Sequence, residues 1–303
     1  MQFDEFLIQG CASVPASSGS DFEVPGIFKL PLAVFLLCLA SVAGAESAPP
    51  DIDQVEHSYI YAAVMGTGSY QINGRRISML RLPFSWTQRQ PTEESPGWKW
   101  LLPVVVGHDS FEGSDWLEEL FPTDLVTLTV LPGFEYLYPV NPKWILKPFV
   151  QLGAGRDFAI DETIMMTQIG MRSLNLFEPG KLWQLRWGNT LRWAAEYQLK
   201  SEDKTSFGVF ESGLDVRREM PFKLWQRRFD LGTYYIFQRF MPRWDVSDSP
   251  DRRSRAYDLH EFGLSIGFIE PNKIWGISVQ RVRIGYKKGG QLQGITIGTE
   301  FPF

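Results

Sequence analysis

The chain has 303 residues, with 30 Lys and Arg against 35 Asp and Glu, and 14% of it is aromatic, including 11 Trp. So rich an aromatic content excludes a disordered chain, and a hydrophobic content of only 44% excludes a bundle of membrane-spanning helices. The net charge of −5 gives no basic excess to attract nucleic acid, and no nucleic-acid partner is expected.

The N-terminus reads as a targeting segment. Residues 28–45, FKLPLAVFLLCLASVAGA, run from one Lys through an apolar stretch to small residues, the order of a secretory signal with cleavage after Ala45. The apolar stretch is shorter than the ~20 residues that a spanning helix needs. Asp4, Glu5, Asp21 and Glu23 are unusual in a signal n-region and point to a translation start downstream, at Val24. Both cysteines, Cys11 and Cys38, fall in this segment, so the exported chain carries none. Cys38 follows Phe35-Leu36-Leu37, where a lipid-attachment site would have a small residue. The domain reading is therefore an extension and cleaved signal over 1–45 and a single barrel over 46–303.

From residue 57 onward the pattern is β. Twelve strands are expected, over 57–66, 75–85, 98–107, 124–138, 144–155, 164–175, 182–199, 207–217, 228–239, 258–269, 274–286 and 291–303. Gly66, Gly68 and Gly74 are assigned to a turn at 66–74. The clearest strand is 182–199. Its odd positions run Trp183, Leu185, Trp187, Leu191, Trp193 and Tyr197, and its even ones Gln184, Arg186, Gly188, Thr190, Arg192 and Glu196. A period of two held this long means one apolar and one polar face, as in the tilted wall of a barrel. Phe262, Leu264 and Ile266 alternate in the same way with Glu261, Gly263 and Ser265. A bulge is expected near Gln280. The fold class is all-β, a transmembrane antiparallel up-and-down barrel.

A repeat reinforces this reading. Trp100, Trp144, Trp183, Trp225 and Trp275 each follow a Pro-turn-Lys sequence. One such Trp per two strands marks a ring of rings at one membrane boundary, where an indole sits among headgroups with its N–H hydrated. These five are assigned to a periplasmic girdle. The intervening connections, such as 107–123 and 240–257, are longer and polar, which suits the extracellular side.

The polar face would line the lumen. The expected lumen charges are Arg186, Arg192, Glu196, Arg217, Arg281 and Arg283, together with Arg172, Glu135, Glu211, Asp215, Asp230, Glu261 and Glu300. Mixed signs in a narrow tube can pair across it, which favours a salt-bridged interior over a channel for small acidic solutes.

The final strand, QLQGITIGTEFPF, has Ile295, Ile297, Phe301 and Phe303 in one phase and ends on an aromatic. It resembles the C-terminal assembly signal of bacterial outer-membrane β-barrels, and LKPFVQLGAG, Leu146 to Gly155, is similar to strands of such proteins. Over 56–303 the chain resembles the solitary autotransporter-like barrels. That resemblance implies a Gram-negative outer membrane, delivery by periplasmic chaperones to the barrel-assembly machinery, and contact with outer-membrane lipid and lipopolysaccharide. About ten residues separate cleavage from the first expected strand, too few for a passenger or a pore-plugging helix.

Catalysis has little support. His57 is expected at the rim of the first strand, His108-Asp109-Ser110 at the opening of a loop, and His260 beside Asp258 on the outward face. His108 and Ser110, two apart, would share a strand face as a loose dyad, but none of the three histidines matches the motif of a known barrel enzyme. Asp245, Asp248 and Asp251 lack the ligand spacing of a calcium loop, and no cofactor or metal is expected. The sequence supports a structural or narrow-channel barrel without a passenger. A rim hydrolase acting on lipid or peptide, and a loop-based adhesin or receptor, are the alternatives.

Overall fold

A computed structural model describes residues 64–303 except 73–74, 94, 111–126, 159, 203, 225, 243–256, 275–276 and 291. The signal segment, both cysteines, His57 and the calcium-loop aspartates lie outside the described residues.

Thirteen strands follow in chain order: β1 Gly68–Ile72, β2 Arg75–Arg89, β3 Gly97–Ser110, β4 Thr127–Val130, β5 Gly133–Asn141, β6 Trp144–Asp157, β7 Glu162–Gly180, β8 Trp183–Gln198, β9 Lys204–Glu219, β10 Phe229–Pro242, β11 Tyr257–Ile274, β12 Ile277–Gly289 and β13 Leu292–Gly298. Each pairs antiparallel with its neighbours, and β1 closes the ring by pairing with both β2 and β13. β4 and β5 share one wall position between β3 and β6, so the barrel has twelve staves. The expected strand 124–138 is thus interrupted at Leu131-Pro132. Proline lacks the ladder N–H, and its neighbour Leu131 donates instead to the carbonyl of Pro103 at 3.1 Å. A register shift between Gly267 and Asn272, opposite Val279 to Arg281, places the irregularity near Gln280.

The wall follows the alternation. Along β8 the even residues from Arg186 to Gln198 are buried, while Leu191 and Trp193 are exposed. The same division runs through β7, with Ile169 and Met171 outside, β11 with Phe262 and Leu264, and β12 with Val282 and Ile284. The result is an apolar outer surface around a closed ladder, the one open-faced β architecture that hydrocarbon tolerates.

Several expectations are corrected. Of the first strand expected at 57–66, residues 57–63 lie outside the described residues and 64–66 are not strand; the first described strand begins at Gly68, and the turn assigned to 66–74 is mostly that strand. Val64 and Met65 form a helical turn and are buried in the lumen, not in the wall. Gly66, with φ +89°, makes the bend out of this turn in a conformation that disfavours a side chain. A short stretch ahead of β1 therefore enters the barrel, where no plug was expected. The last strand, expected to reach residue 303, ends at Gly298, and Phe301 and Phe303 turn into the lumen away from the phase of Ile295. His108 to Ser110 lie in β3, not at the opening of a loop.

Candidate functional site

Buried polar groups converge in the lumen, where three layers follow one another. At the loop end, Tyr70, Met79, Val105, Leu131, Ile164, Met166, Phe207, Val209, Phe240, Leu259 and Leu292 pack with Val64 and Met65 into one apolar cluster. These side chains stand on the inward positions of nearly every stave. The lumen face was expected to be Gly, Ser, Thr and charge, and this cluster was missed. The signal lay in β9, where Phe207 and Val209 break the apolar-out rule beside Phe210. The N-terminal turn is pinned by its carbonyl: Met65 O accepts from Tyr70 Oη at 2.9 Å and from Lys287 Nζ at 3.1 Å.

The middle layer is ionic. Glu261 on β11 accepts from Tyr234 Oη at 2.9 Å, Thr296 Oγ1 at 2.8 Å and Arg283 at 2.8 Å, and pairs with Lys287 at 3.2 Å. Glu211 on β9 pairs with Arg192 and accepts from Gln238. Glu135 on β5 is fully buried between Lys99, at 2.8 Å, and Arg172. Asp215 pairs with Arg217 at 2.6 Å, and Arg281 bridges Asp230 and Ser265. Each buried carboxylate named here meets a cation, the condition under which buried charge is tolerated.

The expected lumen charges Arg186, Arg192, Glu196, Arg217, Arg281 and Arg283 all sit on inward positions; the first five are buried and Arg283 is half-buried. Lys99, Lys147 and Lys287 join them and were not singled out, although the same parity places them inside. Glu300, expected in the lumen, lies beyond the end of β13 and is exposed, where it lines the open turn end.

At the turn end Leu137, Ile145, Leu174, Tyr234 and Ile236 surround Phe301 and Phe303. Beside them lies a cavity of about 810 Å3 lined by Lys147, Arg186, Arg217, Arg281, Asp230 and Glu300, among others. It forms a vestibule at this end, and the apolar cluster lies toward the loop end.

Outside, Trp100 and Trp183 are exposed at the turn end, and the half-buried Trp144 donates from its indole to Ser173 Oγ at 2.9 Å. Trp86, exposed opposite Trp100 on β2, joins the same rim and was not anticipated. Trp225 and Trp275 lie outside the described residues. At the loop end His260 is exposed, its Nδ1 sharing a hydrogen bond with Tyr235 Oη at 2.8 Å, while Asp258 takes a bidentate contact from Arg239. Both point outward, and Asp258 is held by the arginine, not by the histidine. Among the described residues no group of His, Cys, Asp and Glu has the geometry to hold a metal, and no helix is long and apolar enough to cross a membrane, which says nothing of a barrel.

No family model matches the chain, and no curated protein does. Among solved structures it is similar to the β domain of the Bordetella autotransporter BrkA, at 12% identity and a TM-score of 0.49, over 76% of this chain and 92% of that one. It is also similar to the NanC porin, at 9% identity and a TM-score of 0.36, over 77% of this chain and 97% of that one.

Proposed function

We propose that the protein is an integral outer-membrane β-barrel of a Gram-negative bacterium whose role is structural, with a lumen that does not conduct. The observation that carries this reading is the apolar layer at the loop end. Ile164 and Met166 on β7, Phe207 on β9, Phe240 on β10 and Leu259 on β11 cluster with Val64, Met65, Tyr70, Val105 and Leu131. An ion crossing there would shed its hydration with no polar group in exchange. The outward apolar band and the Trp at one rim support the membrane setting. Export through a signal cleaved after Ala45, assembly by periplasmic chaperones and the barrel-assembly machinery, and contact with lipopolysaccharide belong to the same proposal, as does the absence of a catalytic role.

A second reading, passage of small acidic solutes, is favoured by the cations Lys147, Arg186, Arg217 and Arg281 around the vestibule. Planar-bilayer recording separates the two. The refolded barrel is expected to give a silent baseline, and Phe207→Ala with Phe240→Ala is expected to introduce discrete conductance steps. Steady steps from the unaltered barrel would replace the closed reading with the second one.

A further inference from the structure

The turn-end half of the lumen contains a seat. Gly188 on β8 and Gly213 on β9 are register partners on the inward face. A Cβ at Gly188 would stand within 3.0 Å of the Phe303 ring, and one at Gly213 would reach the rings of both Phe303 and Phe301. Any larger residue at either position would fill the space that the two rings occupy. The rings pack against each other, with centroids 4.8 Å apart and planes tilted by 53°. Leu137, Ile145, Leu174 and Ile236 wall the seat. Lys147, buried on β6, donates to the main-chain oxygen of Phe303 at 3.0 Å. Paired glycines beneath an aromatic pair, with a buried cation on the backbone oxygen, make a site shaped for a chain segment that ends in aromatic residues.

The tail has a second berth. The β12–β13 ladder runs from Gly289↔Leu292 to Arg283↔Gly298 and stops there. On that side of β12, residues 277–282 have no strand partner among the described residues, although they pair with β11 on the other. Continuing the register sets residues 299–303 opposite 278–282, a match in length. An unpaired edge is a template for a strand. In that berth Phe301 and Phe303 would return to the phase of Ile295 and Ile297, facing lipid.

We propose that the Gly188–Gly213 seat is a built receptor for the chain's own Phe301-Pro302-Phe303, which acts as a removable plug of the vestibule, exchanging between the seat and the free edge of β12. The occupant is this tail, and the device is independent of whether the lumen conducts.

The exported chain is free of cysteine if cleavage follows Ala45, so a single engineered pair reports the exchange. Val279→Cys with Pro302→Cys joins register partners of the extended berth and leaves both phenylalanines in place. The refolded barrel carrying this pair, with folding verified by its shift on unboiled gels, is treated with a mild oxidant in lipid vesicles. Slow and incomplete crosslinking is expected. Adding Gly213→Leu, which fills the seat, is expected to raise the rate at least tenfold. Phe303→Ala, which empties the seat and leaves the wall untouched, is expected to raise it in the same direction. Immediate, complete crosslinking in the parent pair would mean that the tail lives on β12 and is not seated. An unchanged rate in both variants would mean that the glycines do not hold it. Either result overturns the proposal.

Discussion

Arg192 on β8 and Glu211 on β9 form an ion pair in the centre of the lumen, and each is almost completely buried. They are not register partners: Glu211 lies opposite Thr190, so the pair is diagonal, one step along the ladder. Glu211 also accepts from Gln238 on β10, which ties three staves together. The pair holds two desolvated charges, so its removal is asymmetric. Glu211→Leu alone strands Arg192 and is expected to cost about 3–5 kcal/mol, whereas Arg192→Met with Glu211→Leu recovers most of the loss. Urea unfolding of the refolded barrel, followed by Trp fluorescence, checks this. Equal losses in the single and double variants would mean that packing, not charge compensation, decides.

Glu261 is a sharper case because four groups converge on it. Truncation by Glu261→Ala leaves Arg283 and Lys287 facing each other in the lumen and orphans Tyr234 Oη and Thr296 Oγ1. A loss on the order of 3–5 kcal/mol is expected. Glu261→Gln keeps the acceptor oxygen while removing the charge and is expected to be the milder change. Midpoints of heat-induced band conversion rank the two, and a Gln variant as damaged as the Ala variant would show that charge alone matters.

On the outer wall the expected effect runs with depth. Leu191 is exposed beside Trp193 in the middle of β8, at the height of the hydrocarbon on the membrane reading. Leu191→Arg is expected to destabilise the barrel by about 2–4 kcal/mol in lipid bilayers. In a short-chain detergent that hydrates the outer face the penalty is expected to shrink. An equal penalty in both media would count against lipid contact at Leu191.

One acid outside the wall offers a pH test. Asp161, in the connection between β6 and β7, is solvent-exposed, accepts from Lys200 across to the next connection and lies beside Arg156. The Lys200 hydrogen bond, with the Arg156 charge added, holds its carboxyl below the ordinary carboxylate value. A lowered folded value means that the stabilisation is complete above the ordinary value and is lost as pH falls through the folded one. Titration of the Asp161 side chain by NMR is expected to show a depressed midpoint that moves up in Lys200→Met. Because the site is exposed, little change in overall stability should follow.

How much of this was legible depends on what each face must satisfy. β8 could be read residue by residue because lipid demands apolar side chains outside while its inner face is mainly polar. The inner charges followed from parity alone, which is why Arg186, Arg192 and Arg217 were found together. The apolar layer was not, because a closed lumen must also be filled. Filling puts Phe207, Val209 and Phe240 on the face that parity labels polar. The ends of the wall failed for a related reason. Ile295, Ile297, Phe301 and Phe303 alternate perfectly, yet alternation fixes only which residues share a face while the strand continues. Past Gly298 the ladder stops and the two phenylalanines turn into the lumen, a tertiary preference set by Gly188 and Gly213 on distant staves. The split at Leu131-Pro132 was the exception that local chemistry could have announced, since proline cannot donate to a central ladder.

On the proposed function, the chain is a closed barrel resident in an outer membrane. That reading is tested most directly by separating membrane fractions and running each on SDS gels with and without boiling, beside inner- and outer-membrane markers. The protein is expected in the outer-membrane fraction, with a faster band before boiling that converts to the full-length position afterwards. A protein recovered in the soluble periplasmic fraction, with no difference between the two lanes, would contradict it.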